Sequence, residues 1–190
     1  LVIKGSSSGQ VTVDVPAAAG TNTLTFPAAT GNIITNKTAG TIIQIVNVTT
    51  GAVATGTTQM VGDDTIPQND EGDEYMTLAV TPTDSSNKLI INVRANVIHS
   101  GTAGAHYGAL FQDSTANALA TAWAAKNATA NNPTMLVIDH YMTAGTTSET
   151  TFKFRSGISV SGTTTFNGVL GARFFGGSFA SSITITEVAT

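Results

Sequence analysis

Half of the twelve carboxylates in this chain fall in one run, Asp63, Asp64, Asp70, Glu71, Asp73 and Glu74, within DDTIPQNDEGDE. Clustered carboxylates offer hard oxygen ligands to Ca²⁺, and Asp63, Asp64, Asp70 and Glu71 are the candidate metal ligands. Their spacing departs from an EF-hand loop, where acids take alternate positions before a Gly and a Glu closes the loop, so a solvated structural loop is favoured over a metal site. Inside the run, Thr65, Ile66 and Pro67 are expected to pin the loop onto a sheet. Asp63 is expected to cap or turn the backbone there.

The three histidines, His99, His106 and His140, are too far apart in sequence for a local ligand motif. A threefold axis could gather three copies of one of them, while the plainer reading is a hydrogen-bonded strand or loop histidine. Asp139 and His140 are adjacent, but neighbours on a strand point to opposite faces and cannot form the hydrogen bond a triad needs. The chain has no GxSxG elbow. Carboxylate pairs for glycoside cleavage assemble in space and are not legible as a motif, and with only 11% charged residues the chain offers few candidates. No catalytic residue is assigned, and the expectation is a protein that is not an enzyme.

Sugar recognition uses an aromatic platform with polar groups beside it. Trp123, Tyr107 and His106 are the candidate ligand-binding residues on that ground. Trp123 is the only Trp, and an anchor in a core or subunit interface is an equally good use of its area. Phe174, Phe175 and Phe179 lie in ARFFGGSF. If the adjacent pair sits on a strand, one ring enters the core and the other a subunit interface. Arg94, Arg155 and Arg173 are expected in interface or strand-pair contacts rather than on phosphate.

Strands must position these residues. A chain of 190 residues with 41% hydrophobic and 11% charged residues builds its polar surface from Thr, Ser, Asn and Gly, which points to β structure. Period-two runs predict strands at IIQIVNV, MTLAVTP, KLIINVRANVIH, YGALFQD, TMLVIDHYMTA, ETTFKFRSG, TTFNGVLGARFF and SSITITEV, with KLIINVRANVIH central. Ala116 to Lys126 fits a helix or another hairpin arm equally well. Gly, Ser and Asn punctuate the runs at the spacing of an antiparallel sandwich of Greek-key or jelly-roll type.

Net charge is −4 and the Lys and Arg residues are scattered, which argues against nucleic-acid partners. No run reaches the roughly 20 apolar residues of a membrane span, and the opening LVIKGSSSGQ lacks the pattern of a signal peptide. Zero Cys removes disulfides and thiolate sites. Near the N-terminus, VDVPAAAG (Val13 to Gly20) and LTFPAATG (Leu24 to Gly31) repeat one pattern, a short strand ended by Pro and followed by small residues and Gly. Each unit is too short to bury its own apolar face. Identical segments from other chains would supply the missing walls, so residues 1–40 are expected to form an intertwined β neck and residues 41–190 the head.

DDTIPQNDEGDEYMTLAVTPTDSSNKLIINV (Asp63 to Val93), ALFQDSTANALA (Ala109 to Ala120) and the closing SSITITEVA resemble segments of tail-fibre and virion-surface proteins of tailed bacteriophages. VTVDVPAAAGTNTLTFPAATG resembles the Pro-Ala-Gly segments that precede such heads. The resemblance implies a homotrimeric virion appendage with a jelly-roll head, TNF-like in shape, on a β neck. It also implies contacts to other virion proteins at the N-terminal end and to a host cell-surface glycan or protein, and the lack of a long apolar run adds the expectation of no membrane insertion. A capsid-decorating or cement fibre is the alternative placement, and a glycan depolymerase the alternative activity. The resemblance carries no binding residue with it.

Overall fold

The computed structural model describes residues 2–4, 10–12, 38–125 and 129–190. The chain falls into two compact units, Leu1–Ile33 and Ile34–Thr190. In the first, β1 (Val2–Lys4) and β2 (Gln10–Thr12) pair antiparallel with Ile3 opposite Val11. The two Pro-Ala-Ala units, on which the expected neck rests, lie outside the described residues.

The second unit is an antiparallel β-sandwich built from β3 (Ile42–Thr50), β4 (Ala54–Gly56), β5 (Asp73–Val80), β6 (Lys88–His99), β7 (Ala105–Gln112) and β8 (Ala120–Ala125), followed by β9 (Pro133–Thr143), β10 (Thr150–Ile158), β11 (Thr164–Phe166), β12 (Gly168–Val169), β13 (Ala172–Arg173) and β14 (Ser181–Val188). One sheet has the order β5-β10-β7-β8. In the other, β3-β14-β6 continues to β9 on the far edge of β6, and β11-β4 extends the sheet where β14 ends. Successive strands pass from sheet to sheet, with β5 in one, β6 in the other, β7 and β8 in the first, β9 across, β10 back and β14 across again. That winding is a jelly roll.

Period-two patterning builds the core. Leu89, Ile91, Val93, Ala95 and Val97 of β6, with Ile183 and Ile185 of β14 and Leu136 and Ile138 of β9, form one inner face. Phe152 and Phe154 of β10, Leu110 of β7 and Met76 of β5 pack against it from the opposite sheet. Burying each of these side chains other than Ala95 stabilises the fold by about 1.5–3 kcal/mol relative to exposure. KLIINVRANVIH occupies the central place expected of it, paired on both edges.

One open alternative is decided and one local expectation is corrected. The segment from Ala116 to Lys126 forms no helix among its described residues: Ala120 to Ala125 is a strand whose Ala120, Ala122 and Ala124 pack on the core while Thr121, Trp123 and Ala125 face out. Hydrogen bonding to β7 outweighs the modest helix preference of Ala. The adjacent Phe174 and Phe175 do not straddle a strand. They gather with Phe179 in a surface cluster, ring centroids 4.1 to 6.5 Å apart, and Phe175 is 70% exposed. Gly171, Gly176 and Gly177 take positive φ and break the strand geometry. A buried polar network holds this loop in place. Asn167 Nδ2 donates to the Thr50 carbonyl at 2.7 Å, Ser181 Oγ donates to Asn167 Oδ1 at 2.6 Å, and the Asn96 N–H donates to Ser181 Oγ at 2.9 Å.

At the other end of β14, Glu187 is fully buried and ties three elements together. Its carboxylate accepts bonds from Asn87 Nδ2 and Gln44 Nε2, each at 2.6 Å, and from Thr83 N and Thr83 Oγ1, each at 2.8 Å. Burial pushes its pKa up, but the donors from Asn87, Gln44 and Thr83 outweigh that and hold it below the ordinary carboxylate value. The ionised form is therefore the one the fold prefers. Its contribution is complete above the unfolded-state pKa and disappears as pH falls through the folded one. Glu187→Gln should cost about 1–3 kcal/mol at neutral pH, and the gap to the wild type should close on acidification through the carboxylate range, measured by urea unfolding across a pH series.

Candidate functional site

β7 divides its side chains by face. His106, Gly108 and Leu110 point inward, while Tyr107, Ala109 and Phe111 point to the outer face of the four-stranded sheet. Tyr107 lies directly opposite Trp123 of β8, so the two aromatic residues share that outer face. Trp123 is 69% exposed.

The segment from Thr57 to Gly72 crosses the same face. Met60 is buried on Ala109 and Phe111, making a second small core outside the main one. The approach is close enough to need glycine below it: a Cβ on Gly157 would lie 2.8 Å from the Thr58 carbonyl oxygen and 2.9 Å from the Met60 nitrogen. A Cβ on Gly62 would collide with the Tyr107 phenol. A backbone bond from Met60 N to the Ile158 carbonyl (3.3 Å) ties the segment to β10, and one from Gly72 N to the Gln59 carbonyl (2.9 Å) joins the two ends of the segment to each other. Between it and the β7–β8 pair lies a groove of about 370 Å³, with Trp123, Tyr107 and Thr121 on one side and Met60, Gly62, Asp63 and Pro67 on the other. A second groove of about 400 Å³ lies along the other flank of the loop from Asp63 to Pro67, toward Ala118 and Leu119.

The acidic run supplies braces for this loop. Asp63 Oδ1 accepts from Thr65 N at 2.8 Å and from Thr65 Oγ1 at 2.5 Å, which is the turn expected there. Those bonds hold the Asp63 carboxyl below its ordinary pKa. Glu71 accepts from Gln68 N (2.9 Å) and Val61 N (3.1 Å), and Asp73 accepts from Thr58 N (2.9 Å) and Thr58 Oγ1 (2.9 Å). Pro67 is pinned through its carbonyl, which accepts from Ala118 N at 3.0 Å, whereas Ile66 is exposed. Asp64 and Asp70 lie on the exposed surface. Asp63, Asp64, Asp70 and Glu71 are not gathered for a cation: among the described residues no group of three or more His, Asp or Glu side chains could hold a metal ion.

Of the three aromatic-site candidates, the structure brings Tyr107 and Trp123 together and separates His106 from them. His106 is fully buried on the inner face, its ring edge-on to His99 with centroids 6.4 Å apart. Adjacent strand residues cannot share a face. His99 Nδ1 accepts from the Gly101 N–H at 3.0 Å, and His140 is half-buried on β9, where burial lowers its pKa. Asp139 is exposed and accepts from Asn92 Nδ2 at 2.6 Å, so Asp139 and His140 do point apart. Arg155 makes strand-pair contacts, to Glu74 at 3.7 Å and to the Glu71 and Gly72 carbonyls at 2.9 and 2.6 Å. Sequence reasoning missed Met60, Gly62 and Thr121 as groove residues. Only the outward parity of Thr121 with Trp123 was available as a signal.

An open aromatic wall, a hydroxyl and one carboxylate suit a ligand with both apolar faces and hydroxyl groups. No protein-family model matches the chain, and no curated protein matches it. Among solved structures it is similar to Eiger TNF from S. frugiperda, at 8% identity and a TM-score of 0.43, over 76% of this chain and 93% of that one. It is similar to the protein of infectious bursal virus-derived T=1 particles at 13% identity and a TM-score of 0.38, over 87% of this chain and 41% of that one. A third similarity is to the enzymatically active domain of tailspike protein 4 of bacteriophage CBA120, at 15% identity and a TM-score of 0.25, over 72% of this chain and 21% of that one. At these identities the likeness concerns the fold alone.

The groove wall depends on the close approach at Gly157. Gly157→Ala should destabilise the sandwich by about 1–3 kcal/mol through overpacking. It should also raise acrylamide quenching of Trp123, the only Trp of the chain, as the Met60 side of the groove moves away.

Proposed function

We propose that this protein is a non-enzymatic structural component of a bacteriophage virion surface, a homotrimeric fibre whose jelly-roll head binds a host-surface glycan in the Trp123–Tyr107 groove. One observation carries the reading: the only Trp stands in the open, 69% exposed, opposite Tyr107 on paired strands. A pyranose ring presents an apolar face that stacks on such a platform, while its hydroxyls reach Thr121 and Asp63 at the groove rim.

Trimerisation is supported by the outer face of the six-stranded sheet. Ile45, Thr186, Ile90 and Tyr141 stand in one cross-strand row. Ile45, Tyr141, Val137 and Met135 are all exposed large apolar residues. These exposed apolar side chains, interrupted by Asp139 between Val137 and Tyr141, are suited to cover by another subunit. Three heads on one fibre present three grooves, so weak individual contacts add through avidity.

Light scattering on the full chain should give three times the 19.4 kDa chain mass, holding on dilution. Trp123→Ala should keep that mass and lose at least about tenfold in binding to host cells. A persistent monomer, or undiminished cell binding by the variant, overturns the reading.

A further inference from the structure

Charge placement around the groove narrows the glycan class, on the premise that the groove is the glycan site proposed above. Asp63 lines both the aromatic groove and its neighbour, and Asp64 lines the second. No Lys or Arg lines either one. Within the sandwich the described cations are placed elsewhere: Lys88 donates to Thr143 Oγ1, Lys153 and Arg155 lie beside Glu74, Arg94 lies on β6, and Arg173 sits in the aromatic loop. A sugar carboxylate or sulfate entering the aromatic groove would thus meet the Asp63 carboxylate, with Asp64 on the neighbouring groove, and no cation among the described residues that line it.

The Asp63 side chain is also preorganised as an acceptor. Both bonds from Thr65 fall on Oδ1, which fixes the orientation of the carboxylate. Among the described residues Oδ2 accepts no hydrogen bond, so it is available to a ligand hydroxyl. A charged acceptor of this kind makes stronger bonds to hydroxyl groups than a neutral one does. It repels an anion at the same position.

We infer that the groove selects glycans without anionic groups, recognising them by Trp123 and Tyr107 stacking and by hydroxyl donation to Asp63, and rejects uronate-, sialate- and sulfate-bearing ones. Discrimination arises at the groove lip within about one Debye length of water, so it weakens as salt is raised.

The test begins with the full chain on a printed array of bacterial-surface oligosaccharides containing neutral and uronate-bearing members. A bound neutral oligosaccharide is then titrated against its own derivative with primary alcohols oxidised to carboxylates, reading Trp123 fluorescence. The neutral form should bind at least about fivefold more tightly at low salt. Asp63→Asn retains an oxygen acceptor for the Thr65 turn and should narrow that gap, and Asp64→Asn should narrow it less. Equal or tighter binding of the oxidised derivative, with binding still lost in Trp123→Ala, overturns the charge selection and leaves the groove as the glycan site. Binding that survives Trp123→Ala, or no binding to any array member, overturns the glycan-site reading and this inference with it.

Discussion

The sandwich depends on β6 being sealed on three sides. Its edges hydrogen-bond to β14 and β11 on one side and to β9 on the other, and its inner row from Leu89 to Val97 faces the phenylalanines of β10. A strand so enclosed admits one register, because a slip of one residue would put Asn92, Arg94 and Asn96 into the core and Ile91 and Val93 outside. Each neighbouring strand inherits its facing from this choice. β9 sends Leu136 and Ile138 inward and Met135, Val137 and Tyr141 outward. The opposite sheet must offer its own apolar row, and β7 does so with Leu110, which leaves Tyr107 on the outside to meet Trp123. The aromatic wall of the groove thus follows from how the interior is filled.

Much of this fold was legible because period-two alternation survives in sequence when one face is buried. KLIINVRANVIH, MTLAVTP, TMLVIDHYMTA and SSITITEV each carry their burial pattern openly. The Ala-rich run around Trp123 was ambiguous because Ala is small enough to suit either element; only the partner strand decides it. The alternation rule that separates Asp139 from His140 also separates His106 from Tyr107, so that part of the site could have been read correctly from residue parity. The opposition of Tyr107 and Trp123 could not, since it depends on register across a long connection. Nor could the placement of Met60 and Asp63, which comes from a loop folding over a sheet. The clustered phenylalanines defeated strand reasoning because consecutive positive-φ glycines redirect the chain between β13 and β14.

With so few charges and no Cys, the molecule uses its acids to complete backbone hydrogen bonding. Asp63, Glu71, Asp73 and Asp113 each accept backbone N–H groups in loops, and Glu187 does so in the interior. Donors that turns would otherwise leave unpaired are satisfied, and the loop over the outer face is held by these bonds together with the buried Met60. The dense run of carboxylates that first suggests a cation site is better understood as the internal bracing of that loop, with Asp63 shared between brace and groove.

The position of β14 between β3 and β6 has a kinetic side. Gln44 and Glu187, joined in the clamp, are 143 residues apart in sequence, and both long pairings of β14 join segments distant along the chain. Closing such loops costs entropy before any pairing is gained, so contact order places this sandwich among slow folders, on the order of milliseconds to seconds. Until β14 arrives, the facing edges of β3 and β6 stand as an open slot of unpaired backbone groups. At high local concentration the equivalent strand of a neighbouring copy fits the same slot. A copy that completes its own sheet before meeting another escapes strand exchange, which otherwise competes with correct folding.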